Sequence, residues 1–165
     1  MEYTQFKLTD FQRTNLDTLA SFLERHIPPP EFDMSRFIRI TNKTPYWADA
    51  FEPYECDAAK YEQCGTVACA VGHGPLAGIP AIPGEGWIMY ASRCFIGSVT
   101  EEDNGFEGEY NRLFKYLFGE KWASFDNTPQ GAAARIRYFL DKGLPENSTD
   151  YEVADYQQYL LTETA

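Results

Sequence analysis

Basic residues are scarce in this sequence. Fourteen Lys and Arg stand against 25 Asp and Glu, leaving a formal net charge of -11. A chain so acidic is not built to hold nucleic acid or an anionic membrane by bulk charge, because both need neutralising cations. Cysteine and histidine are also few, four and two. Cys56, Cys64, Cys69 and Cys94 are too sparse for a disulfide-stapled secreted scaffold, and a chain of 165 residues can bury a core without one. No run approaches the roughly 20 apolar residues of a membrane span. Met1 to Lys7 shows no basic stretch leading into an apolar one, so no secretory signal is read there and a reduced, cytoplasmic setting is expected. The sequons at Asn42 and Asn147 carry no weight in that setting. Phosphate-loop, dinucleotide, metalloprotease and nucleophile-elbow motifs are all missing, so no cofactor is expected.

Aromatic residues, by contrast, are plentiful: 12 Phe, 11 Tyr and 3 Trp. They can fill a large core, which excludes wholesale disorder and points to one domain over residues 1–165. The acidic excess is uneven. Residues 1–43 are neutral and residues 111–165 carry -2, whereas residues 44–110 hold Lys60 and Arg93 against eleven carboxylates, a net of -9.

The pattern along the chain is mainly helical. Thr9 and Gln12 have capping-box spacing, and Leu16, Leu19, Ala20, Leu23 and Ile27 follow a helical period until Pro28-Pro29-Pro30 ends it. Asp33 can cap a short helix with Met34, Phe37 and Ile38 inward, and Phe37 to Ile40 reads equally well as a strand. Residues 41–63 form a long irregular loop with scattered aromatics. Val67 to Gly72 is apolar all round, which predicts a buried helix broken by Gly72, Gly74 and Pro75. Trp87, Tyr90, Ala91, Cys94 and Phe95 share one helix face, and an acidic loop follows at 97–109. Tyr110, Leu113, Phe114 and Leu117 mark the next helix, with Gly119 as its stop. Thr128 caps another that has Pro129 at its first position and Ala132, Ala133, Ile136, Phe139 and Leu140 inward, with Gly143 at its end. Ser148, Thr149 or Asp150 can cap a last helix carrying Val153, Tyr156 and Leu160. The sum is a mainly α domain of five or six helices with at most one or two short strands.

Chemistry is concentrated at Cys64-Gly65-Thr66. If a helix starts there, its N-terminus favours an anion or a thiolate, so Cys64, Gly65 and Thr66 are candidate ligand-binding residues and Cys64 a candidate nucleophile. The plainer reading makes Thr66 an N-cap and Cys64 a packed small hydrophobe. A base is needed for cysteine catalysis, and the chain offers His26 and His73. Cys69 and His73 share a helix face at i, i+4 spacing, and His73 at a helix C-terminus can equally serve as a dipole partner. Cys56, Cys64, Cys69 and His73 match no paired zinc spacing, so no metal site is expected. Glu101, Glu102 and Asp103 could hold a divalent cation but read first as solvated loop. The aromatics of 45–61 could stack on a base, and core filling is their plainer use.

Three pieces together carry a resemblance: Phe32-Asp33-Met34, the run from Cys64-Gly65-Thr66-Val67-Ala68-Cys69 to Gly72-His73, and Leu117-Phe118-Gly119 through Thr128-Pro129 to Leu140. They resemble a set of small uncharacterised proteins of bacteria and tailed bacteriophages with a C-G-T-x-A-C-x-x-G signature. The resemblance spans residues 30–143. It implies a bacterial or phage origin and brings no catalytic residues, and in similar sequences an aromatic stands in the place of His73.

The functional expectation is a non-enzymatic binding protein of a bacterial or phage-infected cytoplasm. Its acidic 44–110 region would meet a basic protein partner. The alternatives are a cysteine-dependent hydrolase or transferase using Cys64, and a small anion or nucleotide held at Cys64–Thr66. An assembly component is a further class.

Overall fold

Thr9 starts the longest helix, α1 (Asp10–His26). Its Oγ1 accepts from the Gln12 backbone N–H at 3.1 Å, and the Gln12 side chain returns a bond to the Thr9 N–H at 3.0 Å. Two otherwise unsatisfied donors are thereby met reciprocally. Leu16, Leu19, Ala20 and Leu23 are fully buried along its inner face, and the chain turns extended at Ile27, immediately before the prolines.

The computed structural model describes residues 2–27, 31–34, 39–40, 66–67, 69–97, 109–146 and 155–160. Among these, α2 (Trp87–Ala91) runs into a widened π turn, Ser92–Ile96, and α3 (Glu109–Phe118), α4 (Trp122–Phe125) and α5 (Pro129–Lys142) follow. Val71–His73 and Asp155–Tyr159 are 3-10 turns. Four two-residue strands pair antiparallel. β1 (Tyr3–Thr4) lies on β4 (Leu144–Pro145), and β2 (Arg39–Ile40) lies on β3 (Thr66–Val67). The protein is mainly α, as its periodicity predicts, with two small strand pairs. Arg39–Ile40 form a strand, while Phe37 and Ile38 lie outside the described residues.

One hydrophobic cluster runs from Leu16 on α1 through α2, α3 and α5 to Tyr156 near the C-terminus. Trp87, Tyr90, Ala91, Cys94 and Phe95, placed on one face by their spacing, are all fully buried. The π turn ends when the Gly97 N–H reaches back to the Ser92 carbonyl at 2.8 Å. Gly97 sits at φ +87°, a conformation glycine adopts readily. Asn15 donates to the Cys94 carbonyl at 3.0 Å and Gln12 to the Ser92 carbonyl at 3.4 Å, so α1 caps the end of its neighbour.

α1 also packs on α5. Arg137 donates to Glu24 (2.6 and 3.1 Å), Asp17 (2.9 Å) and Ser21 (3.1 Å). A partly exposed ion pair is worth about 1 kcal/mol or less, whereas each buried leucine contributes about 1.5–3 kcal/mol. The apolar face therefore drives the docking and Arg137 sets its register. α5 itself begins as its sequence suggests, with Thr128 accepting from the Gly131 N–H at 3.0 Å and Pro129 at the first position.

Two expectations need correction. The apolar run after Thr66 is not a helix. Thr66 and Val67 are strand residues, with Thr66 opposite Ile40, and the helical part shrinks to the 3-10 turn Val71–His73. β-branched Thr66 and Val67 favour the extended chain, and Pro75 bars a helix from running through it. Burial in the run is as expected: Cys69, Ala70, Val71, Gly72 and His73 are all buried. At the C-terminus, Tyr156 points inward as its period implies, but the described part of the segment, Asp155–Tyr159, is a 3-10 turn. Residues 148–153, the loop 41–63 and most of the acidic loop 97–109 lie outside the described residues.

Candidate functional site

Cys64 and Gly65 lie outside the described residues, as do Cys56, the 45–61 aromatics and the carboxylates Glu101, Glu102 and Asp103. Thr66 belongs to β3, so no helix N-terminus opens at this position. The dipole and converging N–H groups that made Cys64–Thr66 attractive for an anion are thus not supplied there by a helix.

The remaining cysteines are packed. Cys69 is fully buried, and desolvation pushes its thiol up to about 12, against modest lowering by backbone hydrogen bonds. Burial likewise pushes Cys94 up to about 11, with Arg93 pulling the other way. Both are protonated thiols at neutral pH and poor nucleophiles.

His73 is buried in an aromatic stack. Its ring lies nearly parallel to Phe32, with centroids 6.1 Å apart, and Phe22 sits 6.4 Å away at a tilt. Its Nε2 lies 2.9 Å from the Glu31 carbonyl oxygen. Phe22 also stacks on the exposed His26 at 5.3 Å. The two histidines therefore border one phenylalanine, and His73 occupies surroundings that an aromatic hydrocarbon ring would also suit.

Gly74 explains another part of this run. The Tyr90 hydroxyl donates to the Ile79 carbonyl at 2.5 Å and fills the place a Cβ on Gly74 would need. The glycine is there for a close approach of α2, which is packing chemistry. Among the described residues, no group of three His, Cys, Asp or Glu side chains is placed to hold a metal ion.

The most unusual polar arrangement is one the sequence reading missed. Arg135, on α5, is fully buried. Its guanidinium lies over the Trp122 ring at 4.0 Å and 5.3 Å from the Tyr156 ring. Nη1 is 3.5 Å from the Tyr156 hydroxyl and 3.6 Å from Asp126 Oδ2. Among the described residues, Nε and Nη2 have no hydrogen-bond partner. Burial lowers its pKa from the ordinary guanidinium value, while Tyr156 and Asp126 partly offset this. Asp126 accepts from Tyr156 at 2.7 Å and from Thr128 at 2.6 Å. Burial, and then the bond to Asp126, push the Tyr156 hydroxyl up to about 12. A signal did exist: Arg135 falls on the helix face between Ala132, Ile136 and Phe139, where the period predicts an apolar residue.

Arg93 and Glu85 form a second, more ordinary pair, with Nε and Nη2 donating to the two carboxylate oxygens at 2.7 and 2.8 Å. Arg93 holds the Glu85 carboxyl below the usual carboxylate range. No helix among the described residues is long and apolar enough to cross a membrane. Comparison with protein-family profiles, curated proteins and solved structures yields no match.

Proposed function

We propose that this is a non-enzymatic binding protein of a bacterial or phage-infected cytoplasm that recognises a basic protein surface through its acidic middle region, residues 44–110. The observation that carries this reading is the distribution of charge. That region holds Lys60 and Arg93 against eleven carboxylates, and Arg93 is committed to the buried Glu85. Lys60 then remains as the region's other cation beside ten carboxylates, a field strong enough to steer and select a cationic partner. One such partner is a host factor built to grip phosphates, whose site an acidic surface can occupy competitively.

The packed state of Cys69 and Cys94 supports binding over thiol chemistry at those two positions. Cys64 and Gly65 lie outside the described residues, and Thr66 lies in β3 and not at a helix start. Capture from a bacterial lysate on the immobilised full chain tests the proposal. Basic proteins that bind at low salt and elute as salt rises are expected, because rim electrostatics are screened within about 8–10 Å at physiological salt. Salt-insensitive partners, or none, would contradict it.

A further inference from the structure

We propose that the stretch from Pro80 to Met89 is a preformed apolar anchor for a basic, amphipathic protein segment, with Ile82 and Met89 as the side chains that segment covers. The proposal rests on the acidic-region reading above and names what lies at the centre of that interface. Among the described residues, Ile82 and Met89 are large hydrophobics left 53% and 68% exposed. Pro80 and Pro83 are exposed beside Ile82 in the chain. Free charge is missing from this surface. From Thr66 to Ser92 the sequence holds one carboxylate, Glu85, and no lysine or arginine. Glu85 is buried, and Arg93 matches its charge. Met89 lies one helical turn before Arg93, whose side chain reaches back to Glu85 and Pro80, and Ile82 is bonded to Glu85. Both exposed apolar side chains therefore border the same ion pair.

The loop that carries Ile82 is held in place by the chain itself. Glu85 accepts from the Ile82 N–H at 3.2 Å, and its own N–H donates to the Ile82 carbonyl at 2.9 Å. Arg93 donates to both Glu85 oxygens and, at 3.1 Å, to the Pro80 carbonyl. Gly84 supplies the φ of +83° within this turn. A loop fixed in advance loses little further freedom on binding, which is how a rigid anchor raises affinity. Charge then selects the occupant. Within residues 44–110, five carboxylates precede the stretch, at 48–62, and five follow it, at 101–109. An apolar centre flanked by charge of one sign matches a partner with an apolar centre and a basic rim. A second copy of this chain, itself at -11, would bring like charges together instead.

The test is fluorescence anisotropy of the full chain with two labelled helical peptides of equal positive charge. One is built of lysine and leucine with the leucines on one face, and the other has serine in place of leucine. Wild type should bind the leucine peptide about tenfold tighter than the serine peptide, because Ile82 and Met89 leave water only against the first. Ile82→Ser combined with Met89→Ser should reduce leucine-peptide affinity to that of the serine peptide, with serine-peptide affinity and Tm unchanged. Phe125→Ser, which removes a comparably exposed ring from α4, should leave both affinities unchanged. Equal binding of the two peptides by wild type would overturn the anchor while the acidic reading stands. Unaltered leucine-peptide affinity in the Ile82 and Met89 variant, or an equal loss in Phe125→Ser, would do the same. Failure of wild type to bind either peptide would overturn the acidic reading, and the anchor with it. Leucine-peptide binding that does not weaken as salt rises would overturn the choice of a basic partner. So would a wild-type dimer in sedimentation that the Ile82 and Met89 variant dissociates, since the occupant would then be a second copy.

Discussion

The Tyr90 hydroxyl sits in the space that any side chain on Gly74 would need, and donates from there to the Ile79 carbonyl. One glycine thus lets α2 approach the 70–79 segment, and one hydroxyl fastens it. Gly74→Ala should destabilise the protein by about 1–3 kcal/mol, the usual range for overpacking. Tyr90→Phe should cost about 1 kcal/mol for the lost hydrogen bond and leave the Ile79 carbonyl unmet. Because the residues touch, the double variant should be less destabilised than the two single changes add up to. Urea unfolding of the four proteins checks this, and strict additivity would refute the contact.

Gly131 offers a test in which helix propensity and packing oppose each other. In the first turn of α5, glycine to alanine ordinarily favours a helix by up to about 1 kcal/mol. Here a Cβ would run into the Asp126 carboxylate, which Thr128 and Tyr156 hold in place. Gly131→Ala should therefore lower stability, and thermal unfolding should show a reduced Tm. A raised Tm would mean that Asp126 is free to move aside.

The two described cysteines predict a reactivity pattern and a pH dependence. Iodoacetamide at neutral pH should leave Cys69 and Cys94 unlabelled in the native protein and label both after unfolding, as mass spectrometry of tryptic peptides can show. Their folded values lie near 12 and 11, above the ordinary thiol value of 9.0. An acid whose folded pKa is raised contributes stability that is complete below the unfolded pKa and is lost as pH climbs through the folded one. Tyr156, raised from 10.0 to about 12, acts in the same direction. Stability should thus fall between about pH 9 and pH 12. A flat profile over that window in urea titrations would contradict the burial of these groups.

Arg137 joins α5 to Glu24 and Asp17 of α1 at the partly exposed rim of the core. Arg137→Ala should cost about 1–2 kcal/mol, since one of the pairs is bidentate and half-buried. Because the surrounding carboxylates are solvent-accessible, the loss should shrink as sodium chloride rises. Guanidinium would mask this, so urea is the denaturant of choice.

Much of the fold was legible in the residues because local signals and tertiary packing agree in α1 and α5. Thr9 with Gln12, and Thr128 with Pro129, write the starts of these helices, and the period of Leu16, Leu19 and Leu23 writes the buried face. The Val67–Gly72 run reads as a helix in the sequence because an unbroken apolar stretch has no period to separate strand from helix. Its conformation is set by partners distant in sequence, Ile40 opposite Thr66 and Tyr90 against Gly74. Arg135 was overlooked because arginine is a surface residue by type. Its place on the apolar face of α5 was visible, but the Trp122 and Tyr156 rings that shelter it are brought in by other elements. The charge clustering that carries the functional proposal is a property of the sequence itself, to which the structure adds the Arg93–Glu85 pairing.

The central claim, that carboxylates of residues 44–110 recognise a basic protein, is tested most directly by capture from bacterial lysate on two immobilised chains compared side by side. One is wild type. The other carries Glu52→Gln, Glu55→Gln, Asp57→Asn, Glu101→Gln, Glu102→Gln and Asp103→Asn. The account predicts that basic proteins are retained on the wild-type chain at about 0.05 M salt, are released by about 0.5 M, and are not retained on the neutralised chain. The same proteins retained equally on both chains, or retention unaffected by salt, would contradict it.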